Sequence, residues 1–215
     1  MTKPNNTNTS TTIRLLCVDD HPIFRQGLAA IIGSDKDLEL VGEVGTGQEA
    51  IKAYRSLQPD ITLMDLRLPD MHGVDVIAQI RFDNPDARII VVTTEVGDAT
   101  IQKALDAGAM GYVFKDTPMV ELLSAIRSVH AGQTLVRGEV AEKITEHMGE
   151  KGLSIREEQV LSLIAQGLRN KGVAEALSIS EETVKMHVKN VMHKLGANDR
   201  THAVAIAIQR GFIEV

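Results

Sequence analysis

The sequence of 215 residues predicts a doubly wound parallel α/β sheet followed by a small all-α domain. Two observations predict it. Short apolar runs alternate with amphipathic helical segments over the first 130 residues, which is typical of strands joined by helical crossovers. After residue 152 the apolar residues recur at helical spacing, and the caps expected of short helices precede them.

Five segments are predicted as strands because each is a short apolar run bounded by polar or glycine residues. In chain order they are residues 13–19, 38–44, 60–65, 88–94 and 111–115. Helix signals lie between them: Pro22 opens the first helix, residues 47–57 are amphipathic, Asp98 can cap residues 99–109, and Pro118 starts the last helix. Strands separated by helices predict a parallel sheet covered on both faces.

Polar side chains collect at one edge of this predicted sheet. The first strand ends at Asp19 and Asp20, the third at Asp65, the fourth at Thr93, and the fifth just before Lys115. The carboxyl ends of parallel strands form the ligand-binding edge of such sheets. A charge placed there is costly unless it is paired or bound to a metal. Three carboxylates suit Mg²⁺, which binds through one or two carboxylates, water and phosphate oxygens.

This set of residues predicts phosphoryl chemistry. An ionised aspartate beside Mg²⁺ and a lysine can attack a phosphoryl group and form an aspartyl phosphate, while the metal and Lys115 hold the charge on the phosphoryl oxygens. Taken singly, an Asp after a strand is usually a turn or cap residue and a Lys is usually solvent-exposed. Only the five together favour a reactive site.

The segments "CVDDHP", "LMDLRLPDMHGVD", "VVTT" and "GYVFKD" resemble the receiver domain of two-component response regulators, which has a flavodoxin-like fold. The resemblance implies that Asp65 accepts a phosphoryl group from a sensor histidine kinase and that Thr93 and Lys115 contact that group. It also implies a Mg²⁺ site. Its ligands would be Asp19, largely through water, Asp20, Asp65 and the backbone carbonyl of Arg67.

The same resemblance implies roles for two further pairs of residues. Thr93 and Tyr112 would form the switch, the tyrosine turning into the space that the threonine vacates; the alternative is a Tyr112 that packs with its hydroxyl outward. Arg67 and Glu95 would flank the path of the hydrolytic water and slow loss of the phosphoryl group. A solvated pair without consequence is the alternative, because exposed ion pairs are weak.

The C-terminal part predicts a helix-turn-helix. Ser154 and Glu157 have capping-box spacing, Asn170 can cap the next helix, and Ser180 caps a longer one. On that longer helix one face is apolar, with Val184, Val188, Val191 and Leu195. Residues predicted to face outward are Lys185, Met186, Lys189 and His193. A solvated face is one explanation, and a recognition helix in the DNA major groove is the better one beside a turn and a scaffold helix.

Residues 153–204 resemble the LuxR-type domain of NarL/FixJ regulators. The resemblance implies base contacts from Lys185, Met186 and Lys189. It implies phosphate contacts around Asn170, Lys171, Thr183 and Lys194. Gly172 and Val173 depart from the usual Lys-Glu-Ile, which weakens the assignment of contacts to the scaffold helix. The last helix would pair two subunits, although its small apolar residues could instead pack inward.

Composition sets the remaining expectations. The first dozen residues are polar and unlike a signal peptide, and no apolar run is long enough to cross a membrane, so we expect a cytoplasmic protein. The single cysteine, Cys17, is expected to be buried and inert. Net charge is +2 from residue 151 onward (9 Lys and Arg against 7 Asp and Glu) and −8 before it (14 against 22), which favours nucleic acid as the partner of the C-terminal part.

The predicted domains are a disordered polar tail (1–12), a receiver domain (13–131), a linker with a short helix (132–152) and the helix-turn-helix domain (153–215). The predicted function is a phosphorylation-activated transcription regulator that binds an inverted-repeat DNA site as a homodimer. It would not be an enzyme beyond its own phosphorylation and dephosphorylation. The alternatives are a phosphatase with an aspartyl intermediate, a ligand-sensing quorum regulator, and a regulator of the same architecture that works without phosphate.

Overall fold

The computed structural model describes residues 12–136, 138–147 and 152–214. The predicted disorder of the polar tail concerns residues that, except for Thr12, lie outside this range. The chain divides into two compact units: Met1–Thr94 with Ala104–Leu135, and Glu95–Lys103 with Val136–Val215. The predicted domain boundaries, which follow chain order, stay predictions.

The first unit contains a five-stranded sheet. Its strands are β1 (Ile13–Val18), β2 (Leu38–Val44), β3 (Ile61–Met64), β4 (Ile89–Thr93) and β5 (Gly111–Phe114). Its helices are α1 (Pro22–Ile32), α2 (Gly47–Leu57), α3 (Gly73–Asp83), the later part of α4 (Asp98–Asp106) and α5 (Met119–His130). The strand order is β2-β1-β3-β4-β5, and every neighbouring pair is parallel. The predicted fold class is therefore confirmed.

The inner strands of this sheet are covered on both faces. Every residue of β3, β4 and β5 is buried, as expected when helices pack on both sides of a parallel sheet. Cys17 in β1 is 1% exposed, and burial, followed by the charge of Asp19, raises the pKa of its thiol to about 12. The thiol is therefore protonated at neutral pH, as the prediction of an inert cysteine requires.

The loop after β3 is tied to two helix starts. The carboxylate of Asp70 accepts hydrogen bonds from the amides of Gly47 and Gln48, at 2.7 and 2.9 Å, in the first turn of α2. His72 caps α3 by accepting from the Val74 amide at 3.2 Å. A Cβ on Gly73 would lie 2.3 Å from the carbonyl oxygen of Asp65, so only glycine allows α3 to begin against the backbone of that residue.

The second unit is helical over the described residues. Its helices are α6 (Glu139–Glu146), α7 (Ile155–Ala165), α8 (Asn170–Leu177), α9 (Glu181–Lys194) and α10 (Arg200–Arg210). Ser154 and Glu157 form the predicted capping box, and Ser180 caps α9. The prediction that Asn170 caps α8 is wrong: the helix begins at Asn170 itself, so its side chain follows the cap position, which Arg169 occupies without a capping bond.

Helix α9 has a buried apolar face and an exposed face, as predicted. Val184 and Val191 are buried, Leu195 is 9% exposed, and Val188 packs partly buried against the same helices. By contrast, the four residues predicted to face outward are all exposed, namely Lys185, Met186, Lys189 and His193. The apolar face packs on α7 and α8 and leaves the polar face in solvent.

The segment Glu95–Lys103 is bonded to the other parts of the second unit. Asp98, which is the first residue of α4 and not its cap, accepts from Nε and Nη2 of Arg210 at 3.1 and 2.8 Å. The Lys103 ammonium donates to Glu158 at 2.9 Å and to the carbonyl of Phe212 at 3.1 Å. These bonds join the residues that follow β4 to α7 and to the end of α10.

Among the described residues, the helices are all too short or too polar to traverse a bilayer.

Candidate functional site

The acidic residues predicted at the sheet edge do lie together. Asp19 and Asp65 follow β1 and β3 directly, and their side chains are each only 2% exposed. One ligand atom from each of Asp19, Asp20, His21 and Asp65 lies within 4.8 Å of the others. Two buried carboxylates this close repel one another unless a cation lies between them.

Lys115 supplies that cation. Its Nζ lies 2.7 Å from Oδ2 of Asp19 and 2.7 Å from Oδ2 of Asp65. Burial alone would lower the pKa of the Lys115 ammonium, but its hydrogen bonds to the two carboxylates outweigh burial and raise its pKa above the ordinary value. The lysine is therefore charged at neutral pH and bridges the two acids.

The backbone fixes the other predicted residues at the same edge. Thr93 is the last residue of β4 and is fully buried, and its carbonyl accepts from the Lys115 amide at 2.9 Å. The Asp65 amide donates to the carbonyl of Val18 at 2.8 Å. Strand pairing thus brings Asp19, Asp65, Thr93 and Lys115 to one edge, as the sequence predicted.

The donor set fits Mg²⁺. Its side-chain oxygens come from carboxylates, which this hard cation prefers, and Asp20 is 38% exposed, so water can complete an octahedral shell. The amide of Arg67 approaches Oδ1 of Asp65 at 3.4 Å, which places the backbone of this residue at the cluster. The assignment of its carbonyl as a fourth ligand stays a prediction.

Three residues around the cluster were not predicted from the sequence. The His21 amide donates to Oδ1 of Asp19 at 2.8 Å, and its ring Nδ1 lies 2.5 Å from Oδ1 of Asp20. Arg25 of α1 donates from Nη1 to the carbonyl of Asp19. Phe24 places its ring centroid 4.9 Å from Nζ of Lys115. Only His21 carried a signal, since it directly follows the two aspartates in "DDHP".

The remaining predicted receiver residues differ in their surroundings. Tyr112 is 2% exposed and meets Phe114 edge to face, with the ring centroids 5.8 Å apart. Glu95 is 8% exposed, whereas Arg67 is exposed to solvent. Their predicted parts in switching and in hydrolysis stay predictions.

The exposed face of α9 carries the predicted base-contacting residues. Met186 is 53% exposed, and Lys185 and Lys189 are exposed on the same helix. Lys185 donates to Glu182 at 2.7 Å, one turn back, and this bond raises the pKa of its ammonium. Such a surface pair is weak and can exchange for a base or a phosphate. Thr183 lies in the first turn, with its Oγ1 2.8 Å from Oγ of Ser180.

The residues predicted to contact phosphate fall into two groups. Lys171 is exposed in the first turn of α8, beside the half-buried Asn170. Lys194 is bonded inside the unit: its Nζ lies 2.6 Å from Oε2 of Glu157 and 3.1 Å from the carbonyl of Gly152. A phosphate contact from Lys194 stays a prediction, and it would have to compete with these two partners.

Comparison with protein families identifies both parts of the chain. The model of the response regulator receiver domain matches residues 15–127. The model described as bacterial regulatory proteins, luxR family, matches residues 151–207. A curated relative, the response regulator protein VraR of Staphylococcus aureus, is 38% identical over 208 residues, which cover 94% of this chain and all of VraR.

Solved structures show the same likeness. A two-component response regulator of the LuxR family from Aurantimonas sp. SI85-9A1 is 38% identical with a TM-score of 0.60, covering 63% of this chain and 96% of that one. RcsB of Salmonella enterica serovar Typhimurium, bound to promoter P1flhDC in the presence of the phosphomimetic BeF3−, is 26% identical with a TM-score of 0.71. The match covers 91% of this chain and 97% of RcsB.

Proposed function

The chain belongs to the response regulators that join a receiver domain to a LuxR-type DNA-binding domain, and from that premise we propose that phosphorylation of Asp65 activates its binding to DNA. The phosphoryl donor would be a sensor histidine kinase. The observation that carries the proposal is the position of Lys115, 2.7 Å from a buried oxygen of both Asp19 and Asp65.

The proposed reaction follows from the placement of these groups. An oxygen of Asp65 attacks phosphorus, the phosphorus–nitrogen bond of the kinase phosphohistidine breaks, and the histidine nitrogen leaves with the bonding electrons. Lys115 contacts the transferred phosphoryl oxygens, and the Thr93 hydroxyl donates to one of them. Positioned charges of this kind supply most of the catalysis in phosphoryl transfer.

The site would hold Mg²⁺ through Asp19, Asp20 and Asp65, with the carbonyl of Arg67 as a further ligand. When bound, Mg²⁺ would neutralise charge on the phosphoryl oxygens. The buried carboxylates and their exposed neighbour Asp20 support this assignment.

The conformational change caused by phosphorylation would reach the helical part through the segment after β4. Thr93 ends that strand, and two residues later begins the segment Glu95–Lys103, whose Asp98 and Lys103 bond to Arg210 and to Glu158. The phosphoryl group of the aspartyl phosphate would carry about −1.5 to −2 charges at neutral pH, in place of the single charge of the ionised Asp65 carboxylate. A shift of the Thr93 hydroxyl and of Tyr112 toward this charge would alter the start of the segment and hence its bonds.

On the DNA side, α9 would lie in the major groove, with Lys185, Met186 and Lys189 toward the bases. The helices of a homodimer would then lie about one DNA turn apart on an inverted repeat. The exposure of all three side chains on one helix supports this assignment. RcsB, which is similar over both units, is described bound to a promoter.

The cellular context follows from these partners. A protein that receives a phosphoryl group from a kinase and binds DNA would work in the cytoplasm and would not need a membrane. It would have no substrate of its own apart from the phosphoryl donor, because self-phosphorylation and self-dephosphorylation are the only reactions that the proposed site requires.

The test measures phosphorylation and DNA binding in the same samples. The native protein and Asp65→Asn would be incubated with acetyl phosphate and Mg²⁺, and their intact masses compared. The same samples would be titrated against DNA selected from a random pool by the native protein. A phosphoryl adduct on the native protein alone, with tighter DNA binding, is the expected result.

Two other outcomes have distinct meanings. An adduct that leaves DNA affinity unchanged would mean that phosphorylation does not control binding. If the native protein forms no adduct but still binds selected DNA, the regulator works independently of phosphorylation, which is the second candidate function.

A further inference from the structure

We propose that Phe24 is a positioning residue for Lys115, its aromatic ring holding the lysine ammonium at the phosphoacceptor. The inference rests on the proposed phosphorylation of Asp65. It adds to that site a residue of α1 that has no group able to bind a metal or to transfer a proton.

The geometry is that of a cation–π contact. Nζ of Lys115 lies 4.9 Å from the centroid of the Phe24 ring, within the range in which a ring face attracts a cation. The lysine side chain is only 11% exposed, so water screens this attraction little. The same ammonium lies 2.7 Å from Asp19 and 2.7 Å from Asp65.

A lysine needs such a support because its side chain is a flexible stem with many rotamers. When Asp65 takes up a phosphoryl group, the ammonium has to leave one carboxylate oxygen for the phosphoryl oxygens. A ring face attracts a cation that lies within about 6 Å of the ring centroid, and it does so without a hydrogen bond. Phe24 can therefore hold Lys115 before and after transfer without competing for a hydrogen bond.

The ring is itself fixed relative to the acidic cluster. Pro22 occupies the first turn of α1, and the amide of His21 donates to Oδ1 of Asp19 at 2.8 Å. Arg25, the next residue after Phe24, donates to the carbonyl of Asp19. Residues before and after Phe24 in the sequence are therefore both bonded to Asp19, and Phe24 packs partly buried against the core of the sheet.

The experiment compares Phe24→Leu, which keeps an apolar side chain but removes the ring, with Phe24→Tyr, which keeps the ring face. Ile23→Ala is the matched control, because Ile23 is the neighbouring residue and is 86% exposed. The rate constant for phosphorylation would be measured at saturating acetyl phosphate and Mg²⁺. The concentration of acetyl phosphate that gives half the maximal rate would be determined separately. Thermal unfolding would be followed for every variant.

We expect Phe24→Leu to lower the rate constant about three- to tenfold, an effect that lies between those of fully exposed and fully desolvated cation–π contacts. Phe24→Tyr would restore the native rate, and Ile23→Ala would not change it. In a Lys115→Met background, Phe24→Leu would have no further effect. This double-mutant cycle is the readout that a merely structural role of Phe24 would not produce.

Three results would overturn the inference. These are an unchanged rate constant in Phe24→Leu, an equal loss in the Lys115→Met background, and a loss that Phe24→Tyr fails to restore while its unfolding temperature stays native. Failure of the native protein to form any adduct would instead contradict the proposed function. The two failures are therefore distinguishable in one set of samples.

Discussion

The ammonium of Lys194, at the end of α9, lies 2.6 Å from Oε2 of Glu157, a residue of α7 that is only 4% exposed. Glu157 also accepts from the amide of Ser154 at 2.8 Å and so closes the capping box of α7. One buried carboxylate thus joins the end of the proposed recognition helix to the start of the first helix of its domain.

The first prediction is that Lys194→Met destabilises the second unit by about 2 kcal/mol, because it leaves the buried Glu157 carboxylate without its cation. Lys189→Met is the control, since Lys189 is exposed on the same helix and its replacement should change stability by less than about 0.5 kcal/mol. Urea unfolding followed by circular dichroism measures both. Equal stability of the two variants would contradict a structural role for Lys194.

The same carboxylate predicts a pH dependence. Burial raises the pKa of Glu157, but the bonds from Lys194 and Ser154 outweigh it and hold the pKa below the ordinary value. Because the folded-state pKa is lower than the unfolded one, the contribution to stability is complete above the ordinary glutamate pKa and is lost as pH falls through the folded value. In Glu157→Gln the free energy of unfolding should therefore decrease less steeply as pH falls below about 4.5. The same dependence of unfolding free energy on pH in the variant and the native protein would contradict this prediction.

A third prediction concerns Thr62 in the centre of β3. Its side chain is fully buried, and its hydroxyl has no hydrogen-bond partner among the described residues. Thr62→Val keeps the shape of the side chain and removes the unsatisfied group, so it should stabilise the first unit by about 1 kcal/mol. The matched control is Thr134→Val at an exposed position, where we expect little change. Thermal and urea unfolding would show a loss of stability instead if the hydroxyl has a partner.

The sequence predicted the parts of this protein that follow from local pattern and from sheet topology. Strand ends identified Asp65 and Lys115 because parallel strands bring their carboxyl ends to one edge whatever the helices do. The Ser154 capping box could likewise be predicted, because it depends on two residues that are three positions apart in the sequence. The Asn170 cap was wrong because helix boundaries are uncertain by a residue or two. The contacts of Phe24 with Lys115 and of Lys194 with Glu157 depend on how helices are oriented in the folded protein, which no spacing encodes.

A fourth prediction concerns Gly172 in α8. A Cβ at this position would meet only the Leu168 side chain, at 3.5 Å or more, which is ordinary van der Waals contact. Gly172→Ala should therefore stabilise the second unit by about 0.5 to 1 kcal/mol, because alanine loses less backbone entropy in a helix. Gly167→Ala is the contrasting variant: its φ of 90° is unfavourable for a side chain, and we expect a loss of about 1 kcal/mol. Stability should thus change in opposite directions in the two variants.

The last prediction separates reading of bases from binding of phosphates. Lys189 is exposed on α9, the proposed recognition helix, whereas Lys171 is exposed in the first turn of α8. Lys189→Ala should weaken binding to selected DNA about ten- to a hundredfold while changing binding to random DNA little, because a base contact contributes mainly to discrimination. Lys171→Ala should weaken both about equally and reduce the slope of log affinity against log salt by about one.

Fluorescence anisotropy at several salt concentrations, with selected and random duplexes, measures both effects on the phosphorylated protein. The comparison is internal, because each lysine serves as the control for the other on the same DNA. If Lys189→Ala lowers affinity for both duplexes equally and also lowers the salt slope, Lys189 binds phosphate, and the sequence preference of α9 then has to come from Lys185 and Met186. The anisotropy data therefore decide which exposed residues of α9 carry the specificity.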